Sequence, residues 1–218
     1  MNGEPLIRWG WISGHLDDIW ERTLEHLELT AVAVGAGFLI AMALSIVAIS
    51  YRRTYAPITW FAGVLYTIPS LAFFALLVPF TGLTTLTAEI ALTSYTLLVL
   101  VRNIVAGIDG VPQHVREAAT AMGYRPWRLF AEIELPLALP VIIAGLRIAT
   151  VTTVGLVTIT ALITLGGYGA LIEDGLRRFF WTPLVVGATL SILLAVTFDL
   201  LLVGAERLLT PWSRHRAL

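Results

Sequence analysis

Residues 29–50 read LTAVAVGAGFLIAMALSIVAIS, a run of 22 residues without a charged side chain. A helix needs about 20 mostly apolar residues to cross a hydrocarbon core of about 30 Å. The run therefore predicts a membrane-spanning helix, and Tyr51-Arg52-Arg53 ends it.

Four more apolar segments follow this run along the chain. Residues 57–80 carry no charge, whereas 83–101 contain Glu89, 137–165 contain Arg147, and 183–205 contain Asp199. Pro69 lies in the middle of the second segment and predicts a kink there. The fold class predicted is an all-α membrane protein with about five transmembrane helices.

The composition excludes several classes of protein. Of the 218 residues, 57% are hydrophobic and 13% are charged, and the mean hydropathy is +0.84. Soluble domains carry about 25% charged residues, so neither a soluble enzyme nor a disordered chain is expected. The net charge of −1 argues against nucleic acid as a partner. Cysteine is absent, and the four histidines show no metal-ligand spacing, so no metal or catalytic site is predicted.

The distribution of arginine predicts the orientation in the membrane. With the amino terminus outside, nine arginines lie in inside segments and four in outside segments. Because cytoplasmic loops are enriched in positive charge, this favours N-out and C-in. Residues 13–27 have the pattern of an amphipathic helix, which would either lie in the outer interface or pack on neighbouring spans.

The largest inside loop, residues 102–136, has the pattern of two short helices. Pro112 and Gly123 bracket a helix over 113–122, and a second helix starts at Pro126 and stops before Leu135-Pro136. The loop carries more apolar surface than a connector needs, which indicates a docking surface or a face packed on the spans. A DNA-binding helix–turn–helix is disfavoured because membrane spans flank the loop and no basic recognition helix is present.

The loop also matches a spaced motif. Glu117-Ala118-Ala119, three residues, Gly123, nine residues, Ile133, one residue and Leu135-Pro136 fit EAA-x3-G-x9-I-x-LP at every fixed position. This resembles the EAA loop of binding-protein-dependent ABC importer permeases, where the loop forms a coupling helix that sits in a cleft of the ATPase subunit. The resemblance implies a type I ABC importer transmembrane domain, with ATPase-coupling residues Glu117, Ala118, Ala119, Met122, Gly123, Ile133, Leu135 and Pro136.

Further strings, among them Thr67-Ile68-Pro69-Ser70-Leu71-Ala72 and Gly166-Gly167-Tyr168-Gly169, resemble osmoprotectant permeases. Those importers carry glycine betaine, carnitine, choline or proline betaine. The resemblance implies ABC ATPase subunits, a second permease subunit, an extracytoplasmic substrate-binding protein and a bacterial inner membrane. It also implies that the chain is not itself an enzyme and has no cofactor, because ATP is bound by the partner subunit. The domains expected are an amino-terminal interfacial segment (1–28), a permease domain (29–205) with the coupling loop, and a cytoplasmic tail (206–218).

Two further groups of residues are candidate sites. Isolated charges deep in apolar sequence normally pair or face water, so Arg147 and Asp199 are expected to form an ion pair with a structural role or a role in a gate. Aromatic faces bind quaternary ammonium groups, which makes several residues candidates to line a path. The path candidates are Tyr66, Pro69, Phe73, Phe74 and Tyr95, and the candidate contacts with a binding protein are Gly166, Gly167, Tyr168, Glu173 and Asp174.

Other functions stay open on the sequence alone. The same kind of importer could carry an amino acid or another small solute. An autonomous secondary transporter would need ionisable residues at a mid-membrane site and paired internal repeats, and neither is evident. A membrane scaffold is the remaining alternative.

Overall fold

The structure is a computed structural model that describes residues 6–163 and 165–212, and the predicted segments 1–28 and 206–218 extend beyond these ranges. The described residues are largely helical. Short 3₁₀ turns occur at Arg52–Thr54 and Thr158–Ile163, and a π-helical turn at Phe130–Glu134. The α-helices are α1 (Trp9–Gly14), α2 (Leu16–Ser50), α3 (Tyr55–Thr67), α4 (Ser70–Thr81), α5 (Thr85–Asp109), α6 (Gln113–Ala121), α7 (Pro126–Leu129), α8 (Leu135–Val157), α9 (Tyr168–Arg178) and α10 (Trp181–Leu209).

The prediction of about five apolar helices is confirmed, with one difference in shape. Within the described ranges, four stretches are long and apolar enough to cross a membrane: Leu16–Ser50, Thr85–Asp109, Pro126–Ile163 and Trp181–Leu209. The segment 57–80, predicted as one span with a kink, is instead a broken pair, Arg52–Thr67 and Ser70–Thr81, with an angle of 97° between the two parts. Ile68 and Pro69 have extended backbone at the break. Proline has no N–H to donate and disfavours a helical conformation in the residue before it, so the helix ends there.

The amino-terminal region also differs from the expected separate interfacial helix. Residues 16–27 belong to α2, which continues without a break into the first span. At 1.5 Å per residue its 35 residues extend about 52 Å, well beyond a hydrocarbon core of about 30 Å. The first turns of α2, which contain Asp17 and Asp18, therefore project from the predicted outer side of the membrane. These turns pack on neighbouring segments of the protein, which is the second of the two alternatives that the amphipathic pattern left open.

The inside loop is shorter than predicted. Helix α5 continues to Asp109, and the second loop helix does not stop before Leu135-Pro136. It passes through the π-helical turn and becomes α8, with the N–H of Leu135 donating to the carbonyl of Phe130. A π turn is one of the irregularities by which a helix accommodates a proline such as Pro136 without ending.

Helix α5 is the centre of the bundle and packs against α2, α3, α4 and α8. Small residues allow these close approaches, as in other membrane helix pairs. A Cβ atom on Gly145 of α8 would lie 2.4 Å from the Cβ of Asn103 on α5, and one on Gly107 of α5 would lie 3.2 Å from the Cβ of Ala138. Helices α5 and α8 are therefore in tight contact over the half of the membrane next to the inside loop.

Candidate functional site

The coupling segment, residues 113–136, contains a turn that requires glycine. Gly123 has a φ of 85°. The N–H of Tyr124 donates to the carbonyl of Ala119 at 3.1 Å, and the N–H of Gly123 donates to the carbonyl of Thr120 at 3.0 Å. These two bonds form a Schellman motif, in which the residue at the position of Gly123 is left-handed and usually glycine. Gly123 therefore ends α6 and directs the chain into α7.

One face of the coupling segment is open to solvent. Glu117, Ala118 and Gly123 are exposed, and so are Met122 (71% exposed) and Trp127 (62% exposed). Ala119 is buried against the protein itself. Between α6 and α7 lies a pocket of about 470 Å³, lined by Met122, Gly123, Tyr124, Arg125, Trp127, Arg128 and Glu132. A large exposed methionine and tryptophan beside a pocket are suited to binding another protein.

The remaining positions of the spaced motif lie where α7 runs into α8. Ile133, Leu135 and Pro136 are half-buried there. Glu117 accepts a hydrogen bond from the side-chain amide of Gln113, one helical turn earlier, at 3.2 Å. Its neighbour Arg116 pairs instead with Glu134, at 2.9 Å. The Glu117 carboxylate therefore stays on the exposed face.

The structure contains the ion pair expected between α8 and α10. Arg147 Nε and Nη2 donate to the two carboxylate oxygens of Asp199 at 2.8 and 3.0 Å, and a carboxylate oxygen of Glu206 lies 3.9 Å from Nη1. The Arg147 and Asp199 side chains are 31% and 36% exposed and border a groove of about 580 Å³. The other groove-lining residues are Ala144, Ile148, Val151, Thr152, Ala195, Val196 and Leu200. Because charges are costly next to lipid, this groove needs water or a second protein beside it.

Comparison with known proteins identifies the family of the chain. Residues 25–211 match the family described as binding-protein-dependent transport system inner membrane component. The chain belongs to this family. It is therefore a transport permease of the inner membrane.

The permease is similar over most of its length to proteins named for osmoprotectant transport. It is 36% identical to the osmoprotectant import permease protein OsmW of Salmonella typhimurium (strain LT2), covering 87% of this chain and 90% of that protein. It is 34% identical to the choline transport system permease protein OpuBB of Bacillus subtilis (strain 168), covering 89% and 90%. The glycine betaine/carnitine/choline transport system permease protein OpuCB of the same organism is 32% identical, with 87% and 88% covered.

Solved structures confirm that the permease has the fold of a type I ABC importer transmembrane domain. An inward-facing form of the MetNI methionine ABC transporter gives a TM-score of 0.74 at 23% identity, covering 86% of this chain and 94% of that one. An amino acid ABC transporter crystallised with histidines gives 0.73 at 19% identity, covering 92% and 98%. At these identities the likeness concerns the fold alone.

The aromatic path candidates of the permease lie mostly inside the subunit. Phe73, Phe74 and Tyr95 are buried, whereas Tyr66 is 40% exposed. Tyr95 makes edge-to-face contacts with Tyr66 and Phe73, with ring centroids 6.1 and 5.8 Å apart. Its hydroxyl donates to the carbonyl of Ile68 at 2.5 Å, next to Pro69. These rings therefore brace the break between α3 and α4, and of the four only Tyr66 has a substantial open surface.

The segment before α9 is held in place by hydrogen bonds to side chains of α2. The N–H groups of Gly166 and Gly167 donate to the two carboxylate oxygens of Glu25, each at 3.1 Å. The N–H of Tyr168 donates to His26 Nδ1 at 3.3 Å, and His26 Nε2 lies 3.1 Å from the carbonyl of Val154. Gly166, Gly167 and Tyr168 are buried. They offer no surface to a binding protein, and their contact with Glu25 and His26 was not predicted from the sequence.

Glu173 and Asp174 lie on α9 itself and are paired within it. Glu173 contacts Arg177 at 2.5 Å, and Asp174 contacts Arg178 at 2.7 Å. Both arginines are largely exposed, at 75% and 72% of their side-chain surface. The predicted outer end of the permease therefore presents charges of both signs. Among the residues that the structure describes, no group of three or more His, Asp or Glu side chains could hold a metal ion.

Proposed function

We propose that the permease is the transmembrane subunit of an ATP-driven importer for a quaternary ammonium compatible solute such as glycine betaine, carnitine or choline. The sequence relatives named for osmoprotectant, choline and carnitine transport are 32–36% identical to it. The amino acid transporters that share the fold are only 19–23% identical. This contrast in identity carries the assignment of substrate class.

ATP hydrolysis belongs to a separate subunit that docks on the coupling segment. The observation that supports this is the exposed face formed by Glu117, Ala118, Met122 and Trp127 beside the pocket between α6 and α7. Ala118 allows close approach because it has no long side chain, and the Glu117 carboxylate is available to pair with a cation of the ATPase. ATP is thus a ligand of the partner, and the permease contributes a conduit with two states between which its partners select.

A second permease subunit, identical or homologous, completes the path. The face of α8 and α10 that carries Arg147 and Asp199 supports this assignment, because its ion pair is open to the surface and cannot lie against lipid without cost. We place the water-filled path along this groove and the pair at its gate. Tyr66 and the break at Pro69 are further candidates for the path wall.

A binding protein delivers the solute to the outer end. The charges of α9 support this contact, because Glu173, Asp174, Arg177 and Arg178 together present both signs at one surface. Charges of this kind at an interface mainly fix orientation and the rate of association. The buried Gly166-Gly167 turn supports α9 from behind and is not itself the contact.

An amino acid is the second candidate substrate, because the MetNI transporter and the amino acid transporter, which share this fold, are named for amino acids. The test is uptake of labelled choline or glycine betaine into proteoliposomes that contain the permease with its ATPase and binding protein. We expect ATP-dependent uptake that unlabelled betaines inhibit and that methionine and histidine do not. Inhibition by the amino acids alone would reverse the substrate assignment, and the absence of an ATPase from the purified complex would overturn the importer.

The coupling surface is tested in the same proteoliposomes with Glu117→Arg. We expect uptake to fall about tenfold or more, because like charges brought together at an interface cost several kcal/mol. Glu21→Arg is the control, because Glu21 is an exposed carboxylate on the part of α2 that projects outside. Uptake that falls equally in both variants would contradict a docking role for Glu117.

The path is tested by thiol labelling, for which the absence of cysteine from all 218 residues provides a clean background. Thr152→Cys and Val196→Cys place a thiol in the groove, and Leu39→Cys places one on the exposed apolar face of α2. We expect a membrane-impermeant thiol reagent to label the groove positions at least about tenfold faster, because a thiolate forms in water and not in hydrocarbon. Equal labelling at all three positions would place the path elsewhere.

A further inference from the structure

Arg116 of α6 contacts both of the spans that the coupling segment connects. Its Nη2 donates to the main-chain carbonyl of Ile108, in the last turn of α5, at 2.5 Å. Its Nε lies 2.9 Å from Oε1 of Glu134, the residue that immediately precedes α8. The second contact is an ion pair rather than an aligned hydrogen bond, since Nε has no acceptor in line with its hydrogen. One guanidinium thus joins three helices.

This link is well protected, and both of its ends are favourable for a cation. The Arg116 side chain is 27% exposed and that of Glu134 is 12% exposed. The carbonyls in the last turn of a helix carry partial negative charge, so the carbonyl of Ile108, which also accepts the N–H of Val111 at 3.1 Å, attracts the guanidinium. A partly buried pair of this kind is screened less by salt than a surface pair.

Helix α6 has few other ties to the rest of the protein. Among its nine residues, all of them described, Ala119 is the only buried one. At one end the chain passes through the extended residue Pro112, and at the other it turns at the left-handed Gly123. Both ends are therefore points at which α6 could rotate if its side chains did not hold it.

We infer that Arg116 is the positioning residue that transmits movement of the coupling helix to the membrane spans. The inference rests on the proposed function, because it presupposes that an ATPase subunit pushes on α6. With Arg116 in place, α6 moves together with the end of α5 and the start of α8, and α8 carries Arg147 to the groove. Without Arg116, α6 rotates about Pro112 and Gly123, and the movement that the ATPase subunit imposes on α6 does not reach the spans.

The geometry explains why the residue is an arginine. A guanidinium is a planar group with donors on several edges, so it can hold a carbonyl and a carboxylate at the same time in fixed positions. A lysine ammonium is a point charge on a flexible stem and would hold one of the two partners less firmly. Arg116→Lys is therefore expected to lie between wild type and Arg116→Gln in every measurement below.

The experiment uses the full complex in proteoliposomes, with solute uptake and ATP hydrolysis measured on the same preparation. In Arg116→Gln we expect ATP hydrolysis within about twofold of wild type and about tenfold less solute moved per ATP, because the coupling between sites is lost. Arg116→Gln with Glu134→Gln should lose no more than Arg116→Gln alone, since both changes remove the same ion pair. Arg52→Gln is the matched control: Arg52 pairs with Asp109 at 2.7 Å on the same side of the membrane without involving α6.

A cross-link separates transmission from mere stabilisation. In the cysteine-free chain, Arg116→Cys with Glu134→Cys can be joined by a short bifunctional maleimide, and we expect the solute moved per ATP to recover on cross-linking. Failure to recover it would overturn the inference, as would a wild-type ratio in Arg116→Gln. If Arg116→Gln does not assemble, the cross-linked pair decides the question in the same way. If the importer assignment itself is wrong, the wild-type permease binds no ATPase subunit. That result differs from all of the outcomes above.

Discussion

At the scale of single residues, Gly123 and Phe179 occupy the same position in two similar helix ends. Helix α9 also ends with a left-handed residue, Phe179 at a φ of 53°, and the N–H of Phe180 donates to the carbonyl of Gly175 at 2.9 Å. Apart from Gly123 and its two chain neighbours, nothing lies within 4 Å of the place where a Cβ would stand on Gly123, so only its backbone conformation resists substitution. Phe179 is 90% exposed and gains little from packing.

Substitutions at the two positions should therefore have opposite effects: replacing glycine at 123 is unfavourable, and introducing glycine at 179 is favourable. Gly123→Ala is expected to cost about 1 kcal/mol at the turn, which corresponds to about fivefold weaker binding of the ATPase subunit. Gly123→Asn should cost less, because asparagine tolerates this conformation better than alanine. Phe179→Gly should raise the thermal stability of the permease slightly. Binding of the ATPase to the detergent-solubilised permease measures the first effect, and a thermal melt measures the second. Equal ATPase binding by wild type, Gly123→Ala and Gly123→Asn would contradict this role of the turn.

The hydrogen bonds of Glu25 give a second prediction at the scale of single residues. Its carboxylate accepts hydrogen bonds from two backbone N–H groups, those of Gly166 and Gly167, and contacts Arg22 at 3.2 Å. In Glu25→Gln one of the two N–H groups faces an amide N–H instead of an acceptor, at a cost of about 1.5–3 kcal/mol. We expect a lower unfolding temperature and faster hydrogen exchange at residues 166–168. Glu21→Gln, which changes an exposed carboxylate on the same helix, should change neither.

At the scale of helices, the break between α3 and α4 is stabilised by a hydroxyl from α5. Pro69 cannot donate a backbone hydrogen bond, and the carbonyl of Ile68 accepts one from Tyr95 instead. Tyr95→Phe keeps the ring contacts with Tyr66 and Phe73 but leaves this carbonyl without its donor. We expect a loss of about 1–3 kcal/mol in stability and a drop of about 2–4 °C in unfolding temperature per kcal/mol.

The matched control for that prediction is Tyr66→Phe, since Tyr66 is 40% exposed and contributes its ring to the same cluster. A thermal melt of both variants, together with solute uptake, gives the comparison. If Tyr66→Phe destabilises the protein as much as Tyr95→Phe, the hydroxyl of Tyr95 does not brace the break. If the unfolding temperature falls and uptake is retained, the brace is structural only.

The sequence predicts helices well and their relative orientation poorly. Length and hydropathy were sufficient to find the apolar helices, and Gly123 was sufficient to find the end of α6, because each is a local property of the chain. The angle of 97° at Pro69 depends on Tyr95, Phe73 and Phe74, which pack across helices that a local pattern does not relate. The sequence also did not predict that α2 continues without a break through residues 16–28, again because packing between distant parts of the chain decides it. The charged first turns of α2 look like a separate surface helix until their contacts with the segment before α9 are known.

At the scale of the whole molecule, the motif predicted the type of transport machine, but the sequence did not predict the contacts that support its parts. Glu117 and Gly123 stand out because their spacing is fixed. Arg116 is adjacent to the motif and Glu134 lies between two of its positions, yet neither has a specified identity in it. Glu25 accepts hydrogen bonds from Gly166 and Gly167, and His26 accepts one from Tyr168, across some 140 residues of sequence. Contacts over such distances depend on the packing of the whole bundle.

The ion pair between α8 and α10 gives the last prediction, which concerns the molecule as a whole. Removing one member leaves the other charge unpaired among the mainly apolar residues that line the groove, which is costly unless another charge compensates it. Arg147 has a second carboxylate nearby, that of Glu206 at 3.9 Å, so Asp199→Asn leaves it partly compensated. Arg147→Gln leaves Asp199 without its cation. We therefore expect folded yield to fall more in Arg147→Gln than in Asp199→Asn.

The exchanged pair, Arg147→Asp with Asp199→Arg, separates pairing from function. If the two residues contribute only through their mutual contact, the exchange restores both folded yield and uptake above the level of either single variant. If they also form the gate, the exchange restores yield while uptake stays low, because the cation now projects from α10 and the carboxylate from α8. Size-exclusion profiles measure yield, and uptake in proteoliposomes measures the gate. Failure to restore even the yield would contradict a direct pair and leave each charge to be explained by its own surroundings.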